Sequence, residues 1–169
     1  MNTTMEYKRV PVAALEVLSR EAPSDVALYL DGQSEAPVLY RAEGGVQHRP
    51  DYNRLRENGI ASFLVRGDHL GRCERLIEEE LRHVLARRDV EPEQKAEYIH
   101  HVGAGVARDL SCNPNGQNLG RASHVLDEVI DCILSDSGVA TSLLQMAGHH
   151  CSTASHMFAV STLGIVLGI

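Results

Sequence analysis

The sequence predicts an α+β protein, a small β-containing amino-terminal module followed by a mainly α-helical bundle of about five helices. Short alternating apolar runs and nearly all the turn signals lie before residue 68. Beyond it the apolar residues recur at helical spacing. No internal repeat or low-complexity linker interrupts the chain. The plan is therefore an accessory α+β module over residues 1–68, helices over 69–148, and one further helix over 149–169.

The elements follow in order. Residues 10–18, VPVAALEVL, fit either a helix or a strand. In DVALYLDGQSEAPVLYRAEG, Val26, Leu28 and Leu30 alternate, Asp31-Gly32 begins a turn, and Val38-Leu39-Tyr40 returns, which predicts a hairpin. A short helix follows from Pro50-Asp51 to Asn58-Gly59 with Leu55 inward, and residues 61–67, ASFLVRG, read as a strand. Cys73, Leu76, Ile77, Leu81, Val84 and Leu85 then mark one face of a helix. Pro92 suits the first turn of the next, whose face carries Ile99, Val102, Val106 and Leu110. SCNPNGQN is a loop. Ala122, Val125, Leu126, Val129, Ile130, Ile133 and Leu134 give the strongest amphipathic signal, and SDSG breaks it before Val139, Leu143, Leu144 and Ala147. Ser152 or Thr153 caps a last helix whose inner face holds His156, Val160, Leu163 and Leu167.

Composition narrows the function. The chain has 169 residues, is 43% hydrophobic and carries a formal net charge of -7, with its basic residues scattered. A general nucleic-acid binder needs clustered Lys and Arg to neutralise phosphates, so none is expected. Arg87-Arg88, the densest basic pair, fits a solvated helix end. The first residues lack a cationic stretch followed by a long apolar run, and residues 157–169 are too short to span a bilayer. The four cysteines form no CxxC pair, which argues against a zinc ribbon and for a reducing compartment. A soluble, cytoplasmic protein without a membrane partner is expected.

Few residues offer chemistry. His149, His150, Cys151 and His156 are competent metal ligands, but they lack a clean i, i+4 pair. His156 is set apart by its place on the apolar face, where a buried imidazole needs either a hydrogen-bond partner or a metal. His100-His101 cannot face one direction and are expected at the surface, as are His69 and His83. Gly103 and Gly105 lie inside a helical pattern with no preceding strand, so they are no phosphate loop and instead permit close helix contact. Glu78-Glu79-Glu80 reads as a solvated run, with Glu78 paired to Arg82.

A family likeness rests on several of these residues. Lys95, Tyr98, Val102, Val106, Asp109-Leu110, Asn113-Pro114, Ala122, Val129, Ile133 and Leu143-Leu144 stand at intervals similar to those of the helices leading into an HD-GYP domain. Residues 149–168 then resemble the opening of that domain's core, with Thr153, His156, Val160 and the closing Leu167-Gly168 in place. Some 100 residues, from Val65 to Gly168, take part. The family comprises cyclic-di-GMP phosphodiesterases, and the resemblance implies that His156 is the first metal ligand. It also implies a divalent iron or manganese centre that activates a water and clamps the phosphate of a cyclic dinucleotide.

The departures limit this. His150 stands where the family has Asp, Ser152 where it has Tyr or Glu, and Met157 where it has Ser. No His-Asp pair and no Gly-Tyr-Pro segment occurs in the chain. One imidazole cannot hold a catalytic metal pair, so the expectation is the amino-terminal part of such an enzyme, inactive as these 169 residues and binding no metal alone. The apolar ending fits an interrupted core helix, whose exposed face would favour a homodimer. A non-catalytic helical signalling or interaction module is the alternative, and a small His/Cys metal-binding protein a third reading.

Overall fold

The computed structural model describes residues 6–21, 26–31, 37–42, 52–60 and 62–147, together with 160, 161, 164 and 168. It is α+β, as the sequence predicts: a four-stranded antiparallel sheet lies in the amino-terminal part and helices follow. The chain divides into two compact units, Met1–Ile77 and Glu78–Ile169.

In the first unit the strands are β1 (Tyr7–Pro11), β2 (Leu28–Leu30), β3 (Val38–Arg41) and β4 (Ser62–Arg66), in the order β1-β4-β2-β3. Residues 10–18 turn out to be both things the sequence allowed. They finish β1 at Pro11, pass through a 3-10 turn at Val12–Ala14, and enter helix α1 (Leu15–Glu21). Pro11, with φ fixed near -63°, suits the exit from an edge strand because it has no ladder N–H to lose. The hairpin forms as expected, with Tyr29 opposite Leu39 and Leu30 opposite Val38, and its register shifts between Leu28 and Tyr29.

Alternation sets the core of this unit. Phe63 and Val65 are buried on β4 while Ser62, Leu64 and Arg66 are only partly covered. They join Val10, Leu28, Leu15 and Leu18, each at most 1% exposed. Arg41 closes the unit from the far edge. Its guanidinium donates to Leu18 O at 3.1 Å and Val26 O at 2.9 Å, joining the end of α1 and the approach to β2. The short helix α2 (Tyr52–Glu57) ends as the sequence implied. Gly59 takes φ +73°, and the Ile60 N–H closes on Leu55 O at 3.0 Å, a left-handed cap that a Cβ would strain. Helix α3 (Gly67–Glu79) follows β4 directly, with Cys73 and Ile77 buried.

The second unit is built around α5 (Pro92–Cys112), which packs against α4 (Leu81–Ala86), α6 (Gly116–Ser135) and α7 (Ser137–Ala147). The single helix expected over Cys73–Leu85 is broken at Glu80 (φ -90°, ψ 0°), yet Ile77, Leu81, Val84 and Leu85 are all buried. Pro92 stands in the first turn of α5, as its rigid φ and missing N–H favour. The predicted loop SCNPNGQN shrinks to Asn113, Pro114 and Asn115. The Asn115 side chain accepts from Asn118 N at 2.8 Å and starts α6 earlier than the apolar pattern does.

On α6, Val125, Val129, Cys132 and Ile133 are buried, but Leu134 is 79% exposed. Seven apolar positions span more arc than one contact face covers, and Leu134 falls outside it. Only Asp136 separates α6 from α7. Its Oδ1 accepts from Gly138 N at 3.1 Å, and its Oδ2 lies 3.6 Å from the buried Lys95 Nζ. A Cβ on Gly138 would meet Pro92 Cγ at 3.0 Å, so α7 begins hard against the start of α5. Close helix contact is made at Gly138, and of the two glycines on α5 expected to permit it only Gly105 can be compared. Gly105, expected to permit it, would bring its Cβ no nearer than 4.0 Å to Arg108 Nη2. Val160, expected on an inner face, is 53% exposed. Among the described residues no helix is long and apolar enough to cross a membrane.

Candidate functional site

The residues on which the sequence places metal chemistry, His156 with His149, His150 and Cys151, lie outside the described residues. Among the described residues no group of three His, Cys, Asp or Glu side chains is placed to hold a metal ion. Among the described residues, Cys73, Cys112 and Cys132 form no disulfide. Burial pushes the Cys132 thiol above its usual range, away from a reactive thiolate.

One cluster of polar side chains in the bundle stands at the α5–α6 turn. Arg121, one turn into α6, forks onto Glu78 with Nε–Oε1 at 2.9 Å and Nη2–Oε2 at 2.7 Å. Its Nη1 donates to Asp109 Oδ2 at 3.1 Å and to Asn118 Oδ1 at 3.0 Å. Hydrogen bonding to Glu78 raises the Arg121 pKa well above its ordinary value, and Asp109 adds to this. Glu78 is thus not paired with Arg82 in a solvated run. Arg82 instead lies 3.8 Å from Glu128. Two carboxylates neutralise one guanidinium, and the bidentate geometry fixes the end of α3 to the turn between α5 and α6. Sequence reasoning missed this because the partners are 43 and 12 residues apart.

The two central histidines are also not where the sequence put them. His100 and His101 are each only partly exposed, because α5 is contacted by three helices and has little free surface. The Nε2 of His101 is buried without a hydrogen-bond partner among the described residues. Burial, helped by the charge of Arg108, pulls its pKa down to about 4. His69 is likewise partly covered, its side chain 18% exposed, and stands 3.7 Å from Asp68; His83 is exposed as expected.

One concave feature lies beside the Arg121 cluster. A cavity of about 370 Å³ opens between α5 and α6. Gly103, Val106, Ala107 and Leu110 form its α5 wall. Ala122, Val125 and Leu126 form the α6 wall, and hydroxyls reach it from Ser111 and Ser161. No charged or aromatic side chain stands among these lining residues. The described part of its lining suits apolar groups.

No family model matches the chain, and no curated protein does. A solved structure with a partial likeness is Bd1817, a HDG"Y"P protein from Bdellovibrio bacteriovorus. The two share 14% identity with a TM-score of 0.45, over 96% of this chain and 59% of the other. The chain thus spans about three-fifths of the length of the protein it is compared with.

Proposed function

We propose that this chain is the amino-terminal part of an HD-GYP-type cyclic-di-GMP phosphodiesterase, and that its described helices are the platform on which the metal-bearing core is built. One observation carries this reading. The residues behind the family resemblance are the ones that build the bundle: Lys95, Tyr98, Val102 and Val106 are buried on α5, Val129 and Ile133 on α6, and Leu143 on α7. Asp109, in the last turn of α5, accepts the Asn113 N–H at the start of the turn to α6 and is held by Arg121. In this reading they hold helices, and the chemistry falls to His156 and to further ligands on other helices. A dinuclear iron or manganese centre needs several such ligands.

The chain as it stands is then inactive. The purified 169-residue protein, loaded with manganese or ferrous iron, is expected to leave cyclic-di-GMP intact. Metal-dependent hydrolysis that disappears in His156→Ala would show a complete site within these residues and overturn the platform reading. The apolar cavity between α5 and α6 favours a second reading, a non-catalytic signalling module that binds a ligand or partner there.

A further inference from the structure

We infer that the Asn115–Gly116 step is a site of covalent self-modification, where the Asn115 side chain deamidates through a succinimide, and that the fold directs the reaction to this asparagine. The inference is independent of the proposed function. Gly116 N loses its proton and attacks Asn115 Cγ, the bond from Cγ to Nδ2 breaks, and Nδ2 leaves as ammonia. Water then opens the cyclic imide at one carbonyl or the other, which leaves aspartate or isoaspartate. Solvent is the sole co-reactant.

The turn assists each part of that step. The Asn115 Oδ1 accepts from Asn118 N at 2.8 Å. Attack on Cγ loads negative charge onto Oδ1, where this N–H and the positive end of α6 stabilise it. Gly116 is the first residue of α6, so its N–H has no carbonyl within the helix to bind. Ring closure turns the peptide away from ψ 169°, and a Cβ on Gly116 would meet nothing within 4 Å, which leaves room for the movement. Both residues are exposed.

The asparagines at 58, 113 and 118 lack this combination. Asn113 is followed by Pro114, whose nitrogen carries no proton. The nitrogen after Asn118 belongs to Leu119 and already donates to Asn115 O at 3.0 Å. Asn58 also precedes a glycine, but it stands just past the last residue of α2, where developing negative charge gains no support. Its Nδ2 is held as well, donating to Arg54 O at 2.6 Å.

The two products differ in consequence. Aspartate keeps an acceptor for the Asn118 N–H at the helix start. Isoaspartate adds a methylene to the main chain inside a turn of three residues. Asn118 ties that turn through Nδ2 to Asn113 O at 2.9 Å, and its Oδ1 holds Arg121. Isoaspartate there pulls on Asn118 and loosens the Arg121 clasp.

The test incubates the full folded chain in mildly alkaline buffer and maps it by peptide mass spectrometry. Isoaspartate is scored with an isoaspartyl methyltransferase and labelled S-adenosylmethionine. Asn115 is expected to convert about fivefold or more faster than Asn58, and the two rates to converge once the chain is unfolded in urea. Gly116→Ala, whose Cβ has space, is expected to keep Tm near that of the parent and to slow conversion about tenfold. Conversion at Asn58 as fast as at Asn115 in the folded chain, or an unchanged rate in Gly116→Ala, would overturn the inference. Of the products separated by charge, the isoaspartate form is expected to melt below the aspartate form. Equal Tm values would overturn the consequence drawn for the clasp.

Discussion

Each of the two units is closed by one arginine, and the two arginines work in opposite ways. Arg41 in the sheet unit donates to two neutral carbonyls, Leu18 O and Val26 O. Arg121 in the bundle is gripped by two carboxylates. Burial lowers the pKa of Arg41, whereas bonding to Glu78 raises that of Arg121. The first clasp depends on satisfying backbone groups that the fold hides from water. The second depends on charge. An arginine that joins distant segments can therefore be a hydrogen-bonding bracket or an electrostatic one, and the two respond differently to truncation, pH and salt.

The comparison is broken most sharply by removing Arg41. Arg41→Ala leaves two partly buried carbonyls without their charged donor, and we expect a loss of about 3 kcal/mol in urea unfolding, unchanged between low and 1 M salt. A loss that shrinks with salt would show that Arg41 acts through charge after all.

Acid probes the bundle at a third point, His101. Its folded pKa of about 4 lies below the ordinary 6.5, so the unfolded chain takes up the proton first. The stabilisation is fully present above pH 6.5 and is lost as pH falls through 4. The gap between the two values corresponds to about 3 kcal/mol. Tm measured from pH 7 to 4 is expected to fall less steeply in His101→Gln than in the parent protein. Parallel profiles would place the acid sensitivity elsewhere.

Arg121→Ala is expected to cost about 2 kcal/mol, because its partners stay partly solvated, with the Glu78 and Asp109 side chains 19% and 37% exposed. That cost is expected to fall in 1 M salt, and Arg121→Lys, which cannot fork, to recover only part of it. The smallest effect belongs to Leu134. At 79% exposed, Leu134→Ser is expected to change stability by no more than ~0.5 kcal/mol, and a larger loss would mean that the side chain is covered in solution.

Period and turn chemistry made much of this fold legible. The hairpin, β4, the Gly59 cap, the Pro92 start and the buried faces of α5 and α6 all rest on neighbours within a few residues. What escaped depends on distant partners. Nothing near Glu78 announces Arg121. Nothing near His101 announces that α5 is surrounded by three helices, so that adjacent residues facing different ways can both be covered. VPVAALEVL was ambiguous because it holds the end of a strand and the start of a helix within nine residues. The cavity has no signature in sequence either, since its walls come from two helices whose spacing only packing sets. The site the sequence did single out, His156 with its neighbours, lies outside the described residues and stands on the resemblance.

In the proposed function these helices lead into a metal-bearing phosphodiesterase core. That reading is tested most directly by reading the coding DNA past the codon for Ile169. An open frame that runs on into a His-Asp pair and then a Gly-Tyr-Pro segment is expected, with His156 as the first ligand. A stop codon directly after Ile169 would contradict it.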